Sequence, residues 1–457
     1  MRKVFQPIFL VLLFLLIFSG CSLRKNPLKM EIGEGGIFEN TFEFSSLDNV
    51  LDDPVGRAVL VYLPPGYQEG IAENYKYPVL FLLHGFKEKG WSYEHFYNIQ
   101  TIADQMISSG EIQPMLIVMP DGSGRFGGSF FTNSVTPDGK NFGGKYEDYI
   151  TKELFDKVLY NYGQWMRGIK YKVTPMDSSY TTLDSIPELD STCLQPGIPL
   201  PDCDPDSIDV DTTRWLHVID TIIVEWIDTT VTISEDTAFF QENFGISGHG
   251  NGGYGAFRIA TDYPLIFGSA SAMSAPLNFE SLLDLIPTFM DSNGVDQNGN
   301  GYHQISPDPK SLDRLSCFFF AMAVAFSPHD PSDLDTLTFF ELTLSGDGVD
   351  LPFDSLGDLD SLVWQKWLDN DMKTRISRID EDTLRNLKFY IDCGDQDEFG
   401  FKEQAETFYY ALPADIQANT TLEIYSGYPE YPALNNSFIY DRLREVLKFH
   451  SSSFTAP

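Results

Sequence analysis

Residues 244–256 read Phe244-Gly-Ile-Ser-Gly-His-Gly-Asn-Gly-Gly-Tyr-Gly-Ala256, a glycine-rich stretch that follows a strand pattern and opens a helix pattern. Closely spaced glycines at such a junction indicate a sharp turn in which neighbouring side chains would clash. Turns of this kind hold an exposed serine in the pattern G-x-S-x-G. The sequence therefore predicts a sharp strand-to-helix turn at Gly248 to Gly252.

Strand and helix patterns alternate on both sides of this turn. Val79 to Leu83 and Met115 to Met119 are solid apolar runs, typical of central strands buried on both faces. The alternation predicts an α/β fold with a mainly parallel central sheet and helices on both faces. Further strands are predicted at 58–63, 243–247, 268–273, 387–392 and 421–425, and helices at 101–109, 146–160, 253–261 and 437–449.

One long segment, residues 167–240, interrupts this alternation. It is rich in Asp, Glu, Ser, Thr and Pro, and Arg214 is its one basic residue between positions 175 and 235. We interpret it as a single acidic insertion, either a solvated surface loop or a flap that binds calcium or a partner. Cys193 and Cys203 flank a Pro-rich loop within it and are candidates for a local disulfide in an oxidising compartment.

The N-terminus has the pattern of a targeting segment. Arg2 and Lys3 precede an apolar run, Ile8 to Phe18, that is short for a membrane span. The run ends in Phe18-Ser-Gly-Cys21, which resembles the lipobox of bacterial lipoproteins, in which the cysteine is acylated. An ordinary secretory signal or a membrane anchor is the alternative.

These patterns predict the organisation and location of the chain. We expect a signal peptide at 1–20, a tether at 21–36 and one domain at 37–453 that contains the insertion. The protein would be extracytoplasmic and attached to a bacterial membrane through lipid on Cys21, at the outer membrane or cell surface. The net charge of −35 repels nucleic acid, so no nucleic-acid partner is expected.

Several motifs carry a resemblance to a known family. The stretch Gly248 to Ala256 resembles the elbow G-H-S-M-G-G-Y-G-A of the esterase D, feruloyl esterase and mycolyltransferase-like family of α/β-hydrolases. Similar family motifs are Val61-Tyr-Leu-Pro-Pro-Gly-Tyr67, Leu83-His-Gly-Phe86, Met119-Pro-Asp-Gly122 and Tyr149-Ile-Thr-Lys-Glu-Leu154. The resemblance covers residues 37–166 and 238–450, and it implies the α/β-hydrolase fold.

The resemblance also places the parts of a serine-esterase site. Asp397 takes the position of the acid, with a helix-capping turn carboxylate as the alternative role. The nucleophile position is Gly250, and the histidine position falls at or near Pro429, so both groups are absent. Phe86 and Asn251 align with the residues whose backbone N–H groups form the oxyanion hole. Ser247 and His450 are remote candidates for substitutes.

A metal site is weakly indicated elsewhere. Asp296, Asn298 and Asn300 fit the start of an EF-hand-like loop, D-x-N-x-N-G, but position 12 is Pro307 instead of Glu. A plain Asn/Gly turn is the alternative, and no cofactor is otherwise expected.

Two missing triad members predict a catalytically impaired esterase-family protein. Its cleft would bind a glycan, an acylated ligand or a protein partner. The alternatives are an active carboxylesterase or acyltransferase with an unusual catalytic group, and a structural envelope component acting through the acidic insertion.

Overall fold

The structure is a computed structural model and describes residues 35–73, 75–162, 241–293, 312–329, 348–353, 357–429 and 431–455. Cys21, the acidic insertion with Cys193 and Cys203, and the loop with Asp296, Asn298 and Asn300 lie outside these residues.

Strands of one large sheet dominate the described part of the chain. Eight strands follow the order β1-β2-β4-β3-β7-β8-β11-β12, and two short hairpins, β5–β6 and β9–β10, lie beside them. The strands are β1 Gly36–Glu43, β2 Gly56–Leu63, β3 Val79–Leu83, β4 Leu116–Pro120, β5 Asn133–Val135, β6 Asn141–Lys145, β7 Phe244–His249, β8 Ser269–Met273, β9 Pro328–His329, β10 Gly348–Val349, β11 Lys388–Gly394 and β12 Thr421–Tyr425.

Helices connect these strands. The α-helices are α1 Tyr67–Ala72, α2 Ser92–His95, α3 Ile99–Ser108, α4 Tyr146–Asp148, α5 Phe155–Tyr162, α6 Asn251–Asp262, α7 Ile286–Asn293, α8 Arg314–Phe326, α9 Ser361–Asn370, α10 Met372–Ile376, α11 Glu381–Arg385, α12 Phe401–Ala411, α13 Ala414–Gln417 and α14 Ile439–Ser453. A π-helical turn, Tyr149–Leu154, joins α4 to α5, and a 3₁₀ segment, Phe279–Leu285, precedes α7.

Alternate residues of the central strands face two separate hydrophobic cores. On β3, Val79, Phe81 and Leu83 pack on the face that α6 covers. Leu80 and Leu82 face the other core, to which helices α3 and α14 contribute. Both faces of the sheet are therefore covered, which is why β3 and β4 are apolar at every position.

The sheet is parallel from β4 to β12, and β2 alone is reversed, so that it is antiparallel to both of its neighbours, β1 and β4. The structure therefore confirms the α/β-hydrolase fold class, with its mainly parallel sheet and helices on both faces. Edge strand β1 escaped the sequence analysis because Phe38 is its only buried residue, so it lacks a solid apolar run.

No helix in the described ranges is long and apolar enough to cross a membrane.

Candidate functional site

The carboxyl ends of the central strands bring the site residues to one edge of the sheet. His249 at the end of β7 pairs with Met273 of β8, and Met273 pairs with Asp392 of β11. The turns that follow β7 and β11 therefore lie at the same edge of the sheet, with β8 between the two strands. They hold the elbow glycine Gly250 and the acid-position residue Asp397.

Gly250 forms a turn with the strained backbone of a nucleophile elbow. Its φ is 56° and its ψ is −121°, and its N–H donates to the Met273 carbonyl at 2.8 Å. The glycines at 248 and 252 are required sterically, because a Cβ at either position would lie within 2.5 Å of backbone atoms. At Gly250 a Cβ would meet only Phe86 N at 3.7 Å and Gly85 Cα at 3.9 Å. Space for a nucleophile side chain is therefore kept, although the side chain is absent.

Two backbone N–H groups face this space. Phe86 lies in the loop after β3, and Asn251 is the first residue of α6. Among the described residues, neither N–H has a hydrogen-bond partner. Lys87 N–H donates to the Gly127 carbonyl at 2.7 Å, which helps to fix the loop while leaving the Phe86 N–H available. Phe86 and Asn251 are the two residues that the resemblance assigns to the oxyanion hole.

His84 has a structural role in the same loop. Its Nδ1–H donates to the Gly85 carbonyl at 2.9 Å, and its Nε2 accepts from the Gly122 N–H at 2.9 Å. Both ring nitrogens are used, and burial lowers the pKa of the imidazole. His84 therefore ties the loop after β3 to the loop after β4.

Asp397 is both a turn carboxylate and a member of the site. Its Oδ1 accepts from the backbone N–H groups of Phe399 at 2.9 Å and Phe401 at 3.2 Å, the latter at the start of α12. Its Oδ2 accepts from the Asn435 amide at 3.0 Å. Burial raises the pKa of the Asp397 carboxyl, and the hydrogen bonds from Phe399 and Asn435 oppose that rise. The two roles predicted for Asp397 are thus compatible.

Asn435, not Pro429, is the residue beside Asp397. Pro429 is exposed, in a turn where the backbones of Tyr428 and Tyr431 exchange two hydrogen bonds of 2.9 Å. The approximate histidine position at Pro429 is therefore corrected to Asn435. The sequence comparison placed the histidine directly after β12, whereas the loop here is longer. The useful signal is the distance to the closing helix, since Asn435 lies shortly before α14 at Ile439.

Asn435 is fixed from several sides. It is 3% exposed, and its N–H donates to Glu398 Oε2 at 2.9 Å. Its carbonyl accepts from His249 Nε2–H at 3.0 Å and from Arg442 Nη1–H at 2.9 Å. Arg442 is itself held by an ion pair with buried Asp392. The amide beside Asp397 is therefore a well-ordered part of the fold.

Ser247 and His450 meet each other away from the elbow. With Ser269 and Ser271 they form a buried serine–histidine cluster. Ser271 Oγ donates to Ser247 Oγ at 2.7 Å, while the two ring nitrogens of His450 lie 2.9 Å from Ser271 Oγ and 2.8 Å from Ser269 Oγ. Ser247, Ser271 and His450 are fully buried, so no substrate reaches them, and burial lowers the pKa of His450 to about 3.

The remaining candidates from the sequence are the cysteines and a possible metal site. Cys317 and Cys393 are buried thiols that form no disulfide with another described cysteine. Within the described ranges, no group of three His, Cys, Asp or Glu residues could hold a metal ion.

Comparison with known proteins identifies the family of the chain. Residues 55–167 and 202–434 match the family described as "Putative esterase". An endo-1,4-beta-xylanase/feruloyl esterase from Xylanibacter ruminicola is 32% identical over 134 residues, which is 29% of this chain and 15% of that protein. The chain thus spans only a small part of this curated relative.

Solved esterase structures are also similar. A ferulic acid esterase is 16% identical with a TM-score of 0.48, covering 92% of this chain and 100% of its own. An S-formylglutathione hydrolase from Agrobacterium tumefaciens is 15% identical with a TM-score of 0.46, covering 93% and 98%. The family match extends over more than half of the chain, and the chain therefore belongs to the esterase family of α/β-hydrolases.

Proposed function

We propose that this protein is a non-hydrolytic member of the esterase family that binds an acylated ligand, such as a substituted glycan, at its elbow. The observation that carries the proposal is a double replacement. Glycine stands at the nucleophile position with room for a side chain, and an amide, Asn435, stands beside the acid Asp397.

Neither replacement can perform the missing chemistry. Gly250 has no Oγ, so it cannot form an acyl-enzyme. The Asn435 amide donates and accepts hydrogen bonds but does not take up a proton near neutral pH, so it cannot act as a general base. A protein with these groups retains features for ligand binding and lacks those for turnover.

Residual hydrolysis is the second candidate function. The free N–H groups of Phe86 and Asn251 support it, because oxyanion donors alone give some rate enhancement over water. That enhancement is small beside the contribution of an intact triad, whose members act as a unit.

Repair of the triad tests the proposal. We expect wild type, Gly250→Ser and Asn435→His to leave p-nitrophenyl acetate almost unhydrolysed. The Gly250→Ser/Asn435→His double variant should turn it over, because a histidine at 435 would meet Asp397 as the Asn435 amide does, at 3.0 Å. The gain should be strongly non-additive.

Two matched double variants control this experiment. Gly250→Ser with Asn436→His places the same histidine on an exposed neighbour, and Gly250→Ser with Pro429→His uses the exposed turn. Both should stay inactive. Substantial turnover by wild type would refute the proposed loss of catalysis.

The proposed setting is the bacterial envelope. A lipid on Cys21 would hold the protein at an extracytoplasmic membrane face, as the lipobox-like sequence favours. Metabolic labelling with a fatty-acid probe should mark wild type and not Cys21→Ala, and equal labelling of the two would reject the anchor.

A further inference from the structure

We infer that the ligand of the elbow presents a carboxamide, an acyl group joined to nitrogen, in preference to an ester or a free carboxylate. The inference rests on the proposed function and specifies the ligand of the same site. It follows from counting which hydrogen-bonding atoms the protein leaves without a partner.

The donors of the site require an acceptor. The N–H groups of Phe86 and Asn251 have no partner among the described residues, and Asn251 lies at the N-terminus of the twelve-residue helix α6. A carbonyl oxygen satisfies both donors and is favoured by the helix dipole. Amides, esters and carboxylates all supply such an oxygen, so this half of the site does not distinguish them.

The acceptor of the site is Oδ1 of Asn435. Its amide orientation is fixed, because Nδ2 lies 3.0 Å from Asp397 Oδ2 and 3.5 Å from the Ser274 carbonyl, which are both acceptors. Oδ1 therefore faces away from Asp397, and it forms no hydrogen bond with another described residue. Every other polar atom of Asn435 is used. A ligand that covers Oδ1 and displaces water from it must therefore supply a donor.

Only one of the three acyl derivatives supplies that donor. An ester has no N–H or O–H group, and an ionised carboxylate has none either. A primary or secondary carboxamide carries a carbonyl oxygen for the oxyanion hole and an N–H for Oδ1. A ligand that covers Oδ1 without donating to it leaves this acceptor unpaired in the complex, which weakens binding by about tenfold or more.

Buried polarity and charge support the same choice. Asn251 is 1% exposed, and neither Oδ1 nor Nδ2 of its side chain has a partner among the described residues, so the start of α6 holds an unpaired amide. A free carboxylate would also meet the carboxylates of Asp397 and Glu398 and the −35 net charge of the chain. Neutral ligands avoid this repulsion.

A matched ligand series tests the inference on the full chain. The probes are acetamide, benzamide and cinnamamide, each compared with its methyl ester and its carboxylate in ligand-observed NMR titrations at pH 7. For the acyl group that binds best, we expect the amide to bind about tenfold more tightly than the ester, with the carboxylate weakest. Equal or tighter binding of the ester or carboxylate, or no amide binding in any series, overturns the inference.

Variants locate the effect. Asn435→Leu removes Oδ1 and should reduce the amide-to-ester preference to about one, whereas Asn436→Leu, on the exposed neighbour, should leave it unchanged. If Asn435→Leu does not fold, the order of the affinities of wild type for amide, ester and carboxylate still tests the inference. Hydrolysis of the methyl esters by wild type would refute the proposed function, whereas ester binding without turnover at equal affinity would refute only the carboxamide preference.

Discussion

The buried serine–histidine cluster and the elbow both include residues of β7 or of the turn that follows it. They differ in how many of their buried polar groups have hydrogen-bond partners. In the cluster, His450 uses both ring nitrogens on Ser269 and Ser271, and Ser271 reaches Ser247. At the elbow, the Asn251 side chain lacks partners although it is buried just as deeply. Buried polar groups are normally paired, so the complete network stabilises the fold, whereas the incomplete one leaves groups that a water molecule or a ligand can satisfy.

We expect the largest effect from a substitution that breaks the hydrogen-bond network of the buried serine–histidine cluster. His450→Ala removes the partner of Ser269 and Ser271 and leaves a cavity between α14 and the sheet. We expect a loss of about 3 kcal/mol in the free energy of unfolding, measured by urea denaturation. Glu445→Ala, exposed on the same helix, should change stability by less than about 0.5 kcal/mol. A small effect of His450→Ala would mean that the cluster is not structural.

A pH titration sharpens the comparison. Burial lowers the pKa of His450 from 6.5 to about 3. Between these values the unfolded chain binds a proton that the folded protein does not, so the free energy of unfolding falls as pH falls below 6.5. The loss from His450 should be about 2 kcal/mol at pH 5.

The His450→Ala variant isolates this contribution. His249, whose pKa burial lowers to about 4, acts in the same direction, while the raised pKa of Asp397 acts in the opposite one. Both groups remain in the variant, so the difference in slope between wild type and variant between pH 7 and pH 5 reports His450. Parallel pH profiles would contradict the assignment.

The smallest effect concerns the incomplete network. Asn251→Leu replaces a buried amide without partners by an apolar side chain of similar size. We expect a gain of about 1 kcal/mol in the free energy of unfolding of the ligand-free protein. The same change at exposed Asn436 should have almost no effect. A loss of stability in Asn251→Leu would show that the amide is satisfied in the folded protein.

The sequence predicted most of the sheet because buried parallel strands have a strong signature. β3 and β12 were predicted to the residue, and the elbow was located by its glycines, whose close approach to backbone permits nothing larger. Edge strand β1 was missed because only one of its eight residues, Phe38, is buried. Helix α8 is apolar at most positions, so it had no periodic pattern to mark it.

The part of the site that lies in short local motifs was predicted from the sequence. Gly250, Phe86 and Asn251 belong to the short motifs that define the elbow and its facing loop, so their positions follow from local sequence. Asn435 lies in a loop whose length is not fixed by any strand, and its role depends on a contact with Asp397 across 38 positions of sequence. A contact of that kind is visible only once the strands are assembled.

The glycine elbow also bears on evolutionary reversibility. At φ 56° and ψ −121°, Gly250 holds a backbone conformation that would strain a serine by about 1–3 kcal/mol. A reversion to serine alone would therefore lower stability, and without histidine at position 435 it would restore no catalysis to offset that loss. A reversion to histidine at position 435 alone would also restore no catalysis, because the nucleophile would still be missing. Selection would have to find both changes together, so the loss of catalysis proposed for this chain would behave as a one-way step in its lineage.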